Sequence, residues 1–215
     1  MRPGLTTEVR NPIDAVQPSE KAQKILAAAR DVFLTHGFSA STDTIQQAAG
    51  VSKATIYAHF DSKEALFVAV VEKQCNGLME LLRNAGSLAG QLREALTAIG
   101  RIYLTHALSP TGLALVRIVA SEAPRFPQLA RTFYVSGPEV FCSIIGEHLK
   151  RGVENGEVEL SAIGLDSATQ QFCSLVRGQA QLELLMHPHS RASENQIEHW
   201  VDIAVITFLR AYGPR

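Results

Sequence analysis

The sequence lacks several features that would place it in a specialised class of protein. Its longest uninterrupted apolar run, residues 65–71, is far too short to cross a bilayer, which takes about 20 apolar residues. The 3 cysteines show no CxxC spacing, so they do not predict a disulfide framework; we interpret them as reduced thiols of a cytoplasmic protein. Residues 1–18 have no apolar core of the kind that a secretory signal needs, so export is not expected.

Catalytic and metal-binding motifs are also missing. The chain contains no GxGxxG, P-loop, HExxH or GxSxG motif, so an enzyme is not predicted. His187 and His189 have no second pair of ligands at a suitable spacing and are interpreted as part of a turn, so neither a metal nor a cofactor is expected. Of the 215 residues, 46% are hydrophobic and 19% charged, with a net charge of −1, which is typical of an ordinary globular protein.

What the sequence does contain is apolar residues at helical spacing from residue 19 onwards, without the alternation of a strand. The pattern predicts an all-α fold of about nine helices, three of them short and close to the N-terminus. The later helices are expected near residues 91–108, 111–122, 127–154, 165–186 and 194–211. Proline at 138 predicts a kink or break within the third of these.

The first four helices carry clear start and stop signals. Ser19 and Ser52 are the expected N-caps of the first and third helices, and Thr42 that of the second. Gly37 and Gly50 are the expected C-terminal caps of the first two. For the fourth helix, Asp61 and Glu64 resemble a capping box.

Two short helices joined by the tight turn Gly50-Val51-Ser52 have the outline of a helix-turn-helix motif. In that motif the second helix enters the major groove of DNA. Its outer face here offers a cation at Lys53, a small side chain at Ala54 and hydroxyls at Thr55 and Tyr57, whereas Ile56 and Phe60 are expected to point inward. Lys63 at the start of the next helix is a candidate for a phosphate contact.

Charge alone does not support DNA binding, and helical proteins that bind no DNA share the same outline. Residues 19–73 contain six lysine or arginine residues and six aspartate or glutamate residues. Since cations facing phosphates contribute much of the affinity for DNA, Lys21, Lys24, Lys53 and Lys63 would have to lie on one surface.

The letters of residues 24–67 go beyond this outline. They read KILAAARDVFLTHGFSASTDTIQQAAGVSKATIYAHFDSKEALF and resemble the N-terminal domain of TetR/AcrR-family transcriptional regulators. The shared features are an aromatic residue four positions before Gly-Phe, a Thr-led helix, Ala-Gly-Val-Ser, Thr-x-Tyr-x-x-Phe and Ser-Lys-Glu-x-Leu. Residues 120–140, ASEAPRFPQLARTFYVSGPEV, resemble the C-terminal domain of an AefR-like branch of that family.

The resemblance implies a homodimer, in which each subunit joins a DNA-binding head to a ligand-binding and dimerising body. It implies a head at residues 19–66 and a body at 67–215. Residues 1–18, which carry four charges, three prolines and no periodic apolar pattern, are interpreted as a flexible arm. Phosphate contacts are implied for Thr42, Thr55, His59 and Lys63, and base contacts for Lys53, Ala54 and Tyr57; Thr44 completes the candidate DNA-binding set.

Asp43 and Gln46 depart from the family pattern. Asp43 stands where relatives place a basic residue facing the groove; it would repel phosphates, accept from a cytosine amino group or favour the helix N-terminus. Gln46 replaces a small apolar residue of the second helix, which puts the packing of that helix in question.

The last two helices are the expected dimerisation elements, although their apolar faces would also suit packing within one subunit. The candidate dimer residues are Leu175, Gln179, Leu182, Trp200, Val201, Ala204 and Phe208. A ligand cavity is expected among the helices of residues 91–154, with 165–186 as a wall. Its candidate lining residues, each of which also suits plain core, are Tyr103, Leu104, Ile118, Phe126, Phe133, Tyr134, Phe141 and Phe172.

Taken together, these features predict a ligand-responsive DNA-binding regulator without a membrane segment. The expected partners are an operator with two-fold symmetry and a small apolar or aromatic effector that releases a repressor from it. An alternative is a dimeric DNA-binding module that acts constitutively or as an activator, with a body that docks a protein. His106, Arg117 and His148 could orient a polar ligand group or serve only as surface or satisfied helix residues.

Overall fold

The computed structural model of the protein describes residues 19–87 and 90–214. The arm expected at residues 1–18 lies outside this range. The N-terminal helices are α1 (Glu20–His36), α2 (Thr42–Ala49), α3 (Lys53–His59) and α4 (Lys63–Ser87). The later helices are α5 (Leu92–Ala107), α6 (Pro110–Glu122), α7 (Pro127–Tyr134), α8 (Val140–Glu154), α9 (Leu165–Met186) and α10 (Glu194–Tyr212).

The all-α prediction is confirmed, and no strand occurs in the part of the chain that the structure describes. A five-residue π-helical turn, Val135–Glu139, joins α7 directly to α8, so residues 127–154 form one interrupted helical rod, as the proline predicted. With this rod counted once, the described residues form the expected nine helices.

Serine side chains start most of the helices that shape the N-terminal region. Ser19 and Ser52 accept hydrogen bonds from the backbone N–H groups of Ala22 and Thr55, as predicted. Gly50 ends α2 in the left-handed region at φ 61° and ψ 38°, where glycine meets no steric penalty. Gly50 and Ser52 thus each stabilise one end of α2 and α3, which are too short to be stable alone.

Two cap assignments from the sequence are wrong by one residue. Ser41, rather than Thr42, caps α2, because its hydroxyl accepts from the N–H of Thr44 at 3.1 Å. Ser62, rather than the pair of Asp61 and Glu64, caps α4 by accepting from the N–H of Ala65 at 3.0 Å. In both places adjacent residues have capping side chains, and sequence alone does not show which of them has the extended backbone of an N-cap.

The buried apolar residues form two clusters, the body cluster and the head cluster. The first lies among α4, α5 and α8–α10 and includes Ile99, Phe141 and Phe172. The second joins α1–α3 to the N-terminal half of α4 and to single residues of α6 and α7, such as Leu115 and Leu129. The helix-turn-helix unit therefore shares a core with helices that the sequence assigned to the body.

No single helix among the described residues is long and apolar enough to cross a membrane, although α5 and α6, bent by 67°, would meet that test as a pair.

Candidate functional site

The outer face of α3 carries the residues expected to read DNA. Lys53, Ala54, Tyr57 and His59 are exposed, and Tyr57 retains 42% of its accessible surface. On the opposite side, Ile56 is 1% exposed and packs in the core shared with α1 and α4. The short helix is thus packed against the core on one side, and its polar face is exposed to solvent.

Two contacts tie this face to the start of α2. The ammonium of Lys53 donates to the Asp43 carboxylate at 3.2 Å. One turn further along α3, the Tyr57 hydroxyl lies 3.3 Å from the hydroxyl of Thr42. Asp43, the residue that departs from the family pattern, thus holds the main cation of the face rather than standing alone.

Lys63 has a different setting from the one predicted. Its ammonium donates to the backbone oxygens of Phe38 at 2.9 Å and Ala40 at 3.3 Å, and lies 4.5 Å from the centre of the Phe38 ring. These contacts hold the loop between α1 and α2 against the start of α4. Lys63 therefore stabilises the fold of the head, and its phosphate contact stays a prediction.

Thr44 and Thr55 are half-buried, and each of their hydroxyls lies within 2.9 Å of the serine that caps its helix, Ser41 or Ser52. The ammonium of Lys24 lies near the turn between α2 and α3, 3.7 Å from the position that a Cβ on Gly50 would take. Lys24, Lys53 and Lys63 therefore each lie in a different setting around the helix-turn-helix motif.

A cavity of about 500 Å³ lies between α4, α5, α6, the π-helical turn and α9. This volume is typical of a site for a small organic molecule. Its apolar wall consists of Leu78, Ala107, Leu115, Val116, Phe133 and Leu185. Its polar groups are those of Gln74, Tyr103, His106, Ser109, Thr111, Arg177 and Gln181.

Only Tyr103 and Phe133 of the candidate ligand residues line this cavity. Leu104, Phe141 and Phe172 are fully buried in the body cluster, and Phe141 stacks on Tyr103 with ring centres 3.8 Å apart. Ile118 and Phe126 pack against the head cluster, and Tyr134 is 57% exposed. Those six side chains belong to the core or to the surface. The sequence could not show this, because helical spacing of apolar residues does not reveal which of them border a cavity.

The polar residues that the sequence singled out separate into three environments. His106 lines the cavity, and its Nδ1 lies 3.0 Å from the carbonyl oxygen of Ile102. Arg117 donates from α6 to the carbonyl oxygens of Leu184 at 2.7 Å and Leu185 at 3.0 Å, so it fastens the end of α9. His148 is buried beside Arg151, and burial, followed by that guanidinium, lowers its pKa.

Arg177 and Gln181 line the cavity but were not predicted from the sequence, in which α9 was expected only to form an apolar wall. The helix also contains an unpredicted break, since Gly178 has φ 47° and ψ −161°. Arg177 directly precedes this break. The signal available in the sequence was the glycine next to an arginine in an otherwise regular helix.

The three free cysteines lie near Tyr103; burial raises the pKa of the Tyr103 hydroxyl, and each cysteine adds to this rise. A hydrogen bond from the Cys173 thiol lowers the pKa of the half-buried Cys142 to about 7. The same bond, followed by burial, raises the pKa of Cys173, and burial raises that of Cys75 to about 11. The proton of the pair thus resides on Cys173, which makes Cys142 the reactive thiol.

We expect iodoacetamide to alkylate Cys142 well before Cys75 or Cys173. Because the thiolate reacts, the rate at Cys142 should rise as the pH passes about 7 and level off above it. Peptide mass spectrometry at a series of pH values measures this, with Cys142→Ser as the control. Earlier labelling of either buried cysteine would contradict the assignment.

The two terminal helices present apolar side chains to solvent. Leu175, Gln179, Leu182 and Met186 are exposed on both sides of the break at Gly178 in α9, and we call them the exposed stripe. Ile203 and Ile206 are 50% and 38% exposed on α10. An exposed apolar stripe of this kind is typical of a surface that meets another protein.

Four dimer candidates on α10 lie elsewhere. Val201, Ala204 and Phe208 are at most 1% exposed and belong to the subunit's own core, so they are not available to a second subunit. Trp200 is half-buried against the same core. The helix has two apolar faces, and the residues predicted from the sequence lie on the inner one.

Comparison with known proteins agrees with this architecture. Residues 25–70 match the model of bacterial regulatory proteins of the tetR family, and residues 94–214 match the C-terminal domain of AefR-like transcriptional repressors. The flavonoid-responsive regulator FrrA is 37% identical, covers 92% of this chain and 100% of its own, and has a TM-score of 0.73. A TetR-family regulator from Mesorhizobium loti is 25% identical, with coverage of 90% and 97% and a TM-score of 0.83.

The HTH-type transcriptional activator FasR of Mycolicibacterium smegmatis is 36% identical over 80 residues, which are 37% of this chain. The match spans 36% of the length of FasR, so about a third of that relative is represented. These similarities identify a DNA-binding transcriptional regulator rather than an enzyme. The chain belongs to the TetR family of bacterial regulatory proteins, with a C-terminal domain of the AefR-like type.

Proposed function

We propose that the protein is a homodimeric repressor that leaves its operator when a small apolar or aromatic molecule occupies the cavity among α4, α5, α6 and α9. TetR-family regulators bind DNA as dimers and often take a small-molecule ligand. The AefR-like domain is described as part of a transcriptional repressor, and the similar regulator FrrA is flavonoid-responsive. For a regulator that acts on the chromosome we also propose a cytoplasmic location.

The observation that carries the effector mechanism is the position of Leu115 on α6. This side chain lines the cavity, is 6% exposed and belongs to the cluster shared with the DNA-binding helices. Val119, one turn further along, lies in the same cluster. Because packed interiors transmit small displacements, a ligand pressing on α6 would move the head.

Arg117 links α6 to α9, the helix on the other side of the cavity. Its two hydrogen bonds join α6 to the last turn of α9, where Leu185 also lines the cavity. A ligand that spreads α6 from α9 would change the spacing of the two heads in a dimer. DNA release is then a shift between two states, in which the ligand binds one state better.

Operator selection followed by effector addition tests this function. The full chain is used to enrich binding sites from random DNA, and fluorescence anisotropy then follows the complex as the flavonoid naringenin is added. We expect a two-fold-symmetric site and a fall in anisotropy as naringenin binds. A stable complex in naringenin that calorimetry shows to be protein-bound would contradict effector release, and the absence of any enriched sequence would contradict the operator.

Activation is the second candidate function, because FasR is named a transcriptional activator. A repressor and an activator differ in where the operator lies relative to the promoter and in whether the bound protein lowers or raises transcription. Transcription in vitro with added protein distinguishes them: the proposal expects less transcript, whereas an activator gives more.

The contact between Lys53 and Asp43 leads to a prediction about the head. Asp43→Asn removes the carboxylate that holds the Lys53 ammonium, so we expect tighter binding to DNA of any sequence. The slope of log affinity against log salt should steepen by about one, as measured by anisotropy at several salt concentrations. The double variant with Lys53→Ala is the control and should lose the gain; an unchanged slope in Asp43→Asn would show that releasing Lys53 adds no phosphate contact to the base contact implied for it.

A further inference from the structure

The charged side chain that lines the cavity is positive. The cavity's only charged lining group among the described residues, apart from any charge on His106, is the Arg177 guanidinium. No aspartate or glutamate is part of that lining. Arg177 is half-buried, and a cation that has lost part of its hydration is stabilised by an anionic partner.

Within the described part of the chain, Arg177 has no ion pair. Its single protein hydrogen bond there runs from Nε to the carbonyl oxygen of Cys173 in the preceding turn, at 3.3 Å. A guanidinium carries five N–H donors in a planar fork. The terminal nitrogens are therefore free to bind a carboxylate through two parallel hydrogen bonds.

Tyr103 supplies a second donor on the same side of the cavity. Burial raises the pKa of its hydroxyl to about 12, while the nearby Arg177 guanidinium acts in the opposite direction. The hydroxyl stays protonated near neutral pH and donates a hydrogen bond. Its ring is fixed by stacking on Phe141, so the donor has a defined position.

The remainder of the chamber suits an apolar body. Leu78, Leu115, Val116, Phe133 and Leu185 line it, and about 500 Å³ is enough for a small organic molecule. The arrangement thus places two donors at one part of an apolar chamber. Carboxylates accept hydrogen bonds and donate none, so they match this pattern better than amines do.

We propose that the cavity selects amphipathic organic acids, whose carboxylate binds the Arg177 guanidinium and the Tyr103 hydroxyl while an aromatic or alkyl body fills the apolar part. The proposal rests on the proposed function only in taking this cavity as the effector site. It adds the charge class of the ligand and the residue that determines it.

Calorimetry with matched probes tests the proposal on the purified full chain. The aromatic series is biphenyl-4-carboxylic acid, its primary amide and 4-phenylbenzylamine; the alkyl series is decanoic acid, decanol and decylamine. We expect at least one acid to bind about tenfold to a hundredfold more tightly than its neutral counterpart, and the amines to bind least. The series with the larger preference identifies the body as aromatic or alkyl.

Arg177→Gln should reduce that acid preference to within about twofold and leave binding of the neutral probe unchanged. Arg177→Lys should restore part of it, because the charge remains but the fork is lost. Arg131→Gln, which removes an exposed arginine of the neighbouring α7, should behave like wild type. Thermal unfolding of each variant confirms that the fold is retained.

Equal binding of acid and neutral probe in both series would overturn the proposal and leave an effector cavity without charge selection. The same holds if the preference survives in Arg177→Gln. Binding of none of the six probes overturns both the preference and the effector site. Acid binding that depends on Arg177 but leaves the operator complex intact supports this inference and contradicts the proposed release mechanism.

Discussion

The double variant Leu182→Glu, Ile203→Glu should be a folded monomer that binds the operator about 100-fold or more weakly than wild type. Both side chains are large and apolar, and they are 53% and 50% exposed on α9 and α10. Carboxylates there would lie in a desolvated interface without partners, which opposes association strongly. A single head then loses the effective concentration that a linked second head provides, which is worth about 10² to 10⁴ in affinity.

Light scattering measures the mass of the variant, and anisotropy with the selected operator measures its affinity. Leu81→Glu is the matched control, because Leu81 is 47% exposed on α4 and lies on neither terminal helix. This control should remain a dimer with unchanged affinity. A double variant that is still dimeric, or a monomer that binds as well as wild type, would show that the exposed stripe is not the dimer surface.

Phe67→Ala should lower the free energy of unfolding by about 3–5 kcal/mol. Phe67 is 1% exposed, meets Phe33 edge-on with ring centres 4.8 Å apart, and lies 5.3 Å from Phe38. Removing the ring leaves a cavity where the DNA-binding helices join α4. For a chain of this size, the loss corresponds to a fall in Tm of roughly 10 °C.

Thermal and denaturant unfolding followed by circular dichroism measure this effect, with Tyr134→Ala as the control. Tyr134 is 57% exposed, so its truncation should change stability by less than about 0.5 kcal/mol. An equally small effect for Phe67→Ala would mean that the aromatic cluster contributes little to the head. The result also tests the domain boundary expected after residue 66, because Phe67 belongs to the head's core.

Local signals in the sequence were enough to predict the helices. Apolar spacing of three and four residues, the caps Ser19 and Ser52, and Gly50 at the turn place α1, α2 and α3 where the structure has them. Such signals work because each depends on a few neighbouring residues. The inward position of Ile56 follows from the same periodicity.

Features that depend on packing between distant helices were not predicted. Phe141 and Phe172 resemble cavity-lining residues in the sequence, yet other helices cover them completely. Conversely, Arg177 resembles a surface residue, although α9 places it in the cavity. The choice between the two apolar faces of α10 likewise depends on which face its own subunit covers.

The contacts of Lys53 and Lys63 belong to this second group. Their partners, Asp43 and the carbonyl oxygens near Phe38, are 10 and 25 residues away in the sequence. Composition showed correctly that the head has no excess of basic residues. Only the structure shows that Lys53 is paired with Asp43 and that Lys63 holds a loop in place.

The central claim is that the outer face of α3 reads DNA, and footprinting of the full chain on the DNA upstream of its own coding sequence tests it most directly. For wild type we predict two protected half-sites whose centres lie about one helical turn, or a small multiple of it, apart. Lys53→Glu should abolish this protection while its Tm stays within a few degrees of wild type, because Lys53 is exposed. A Lys53→Glu footprint identical to that of wild type would contradict the claim.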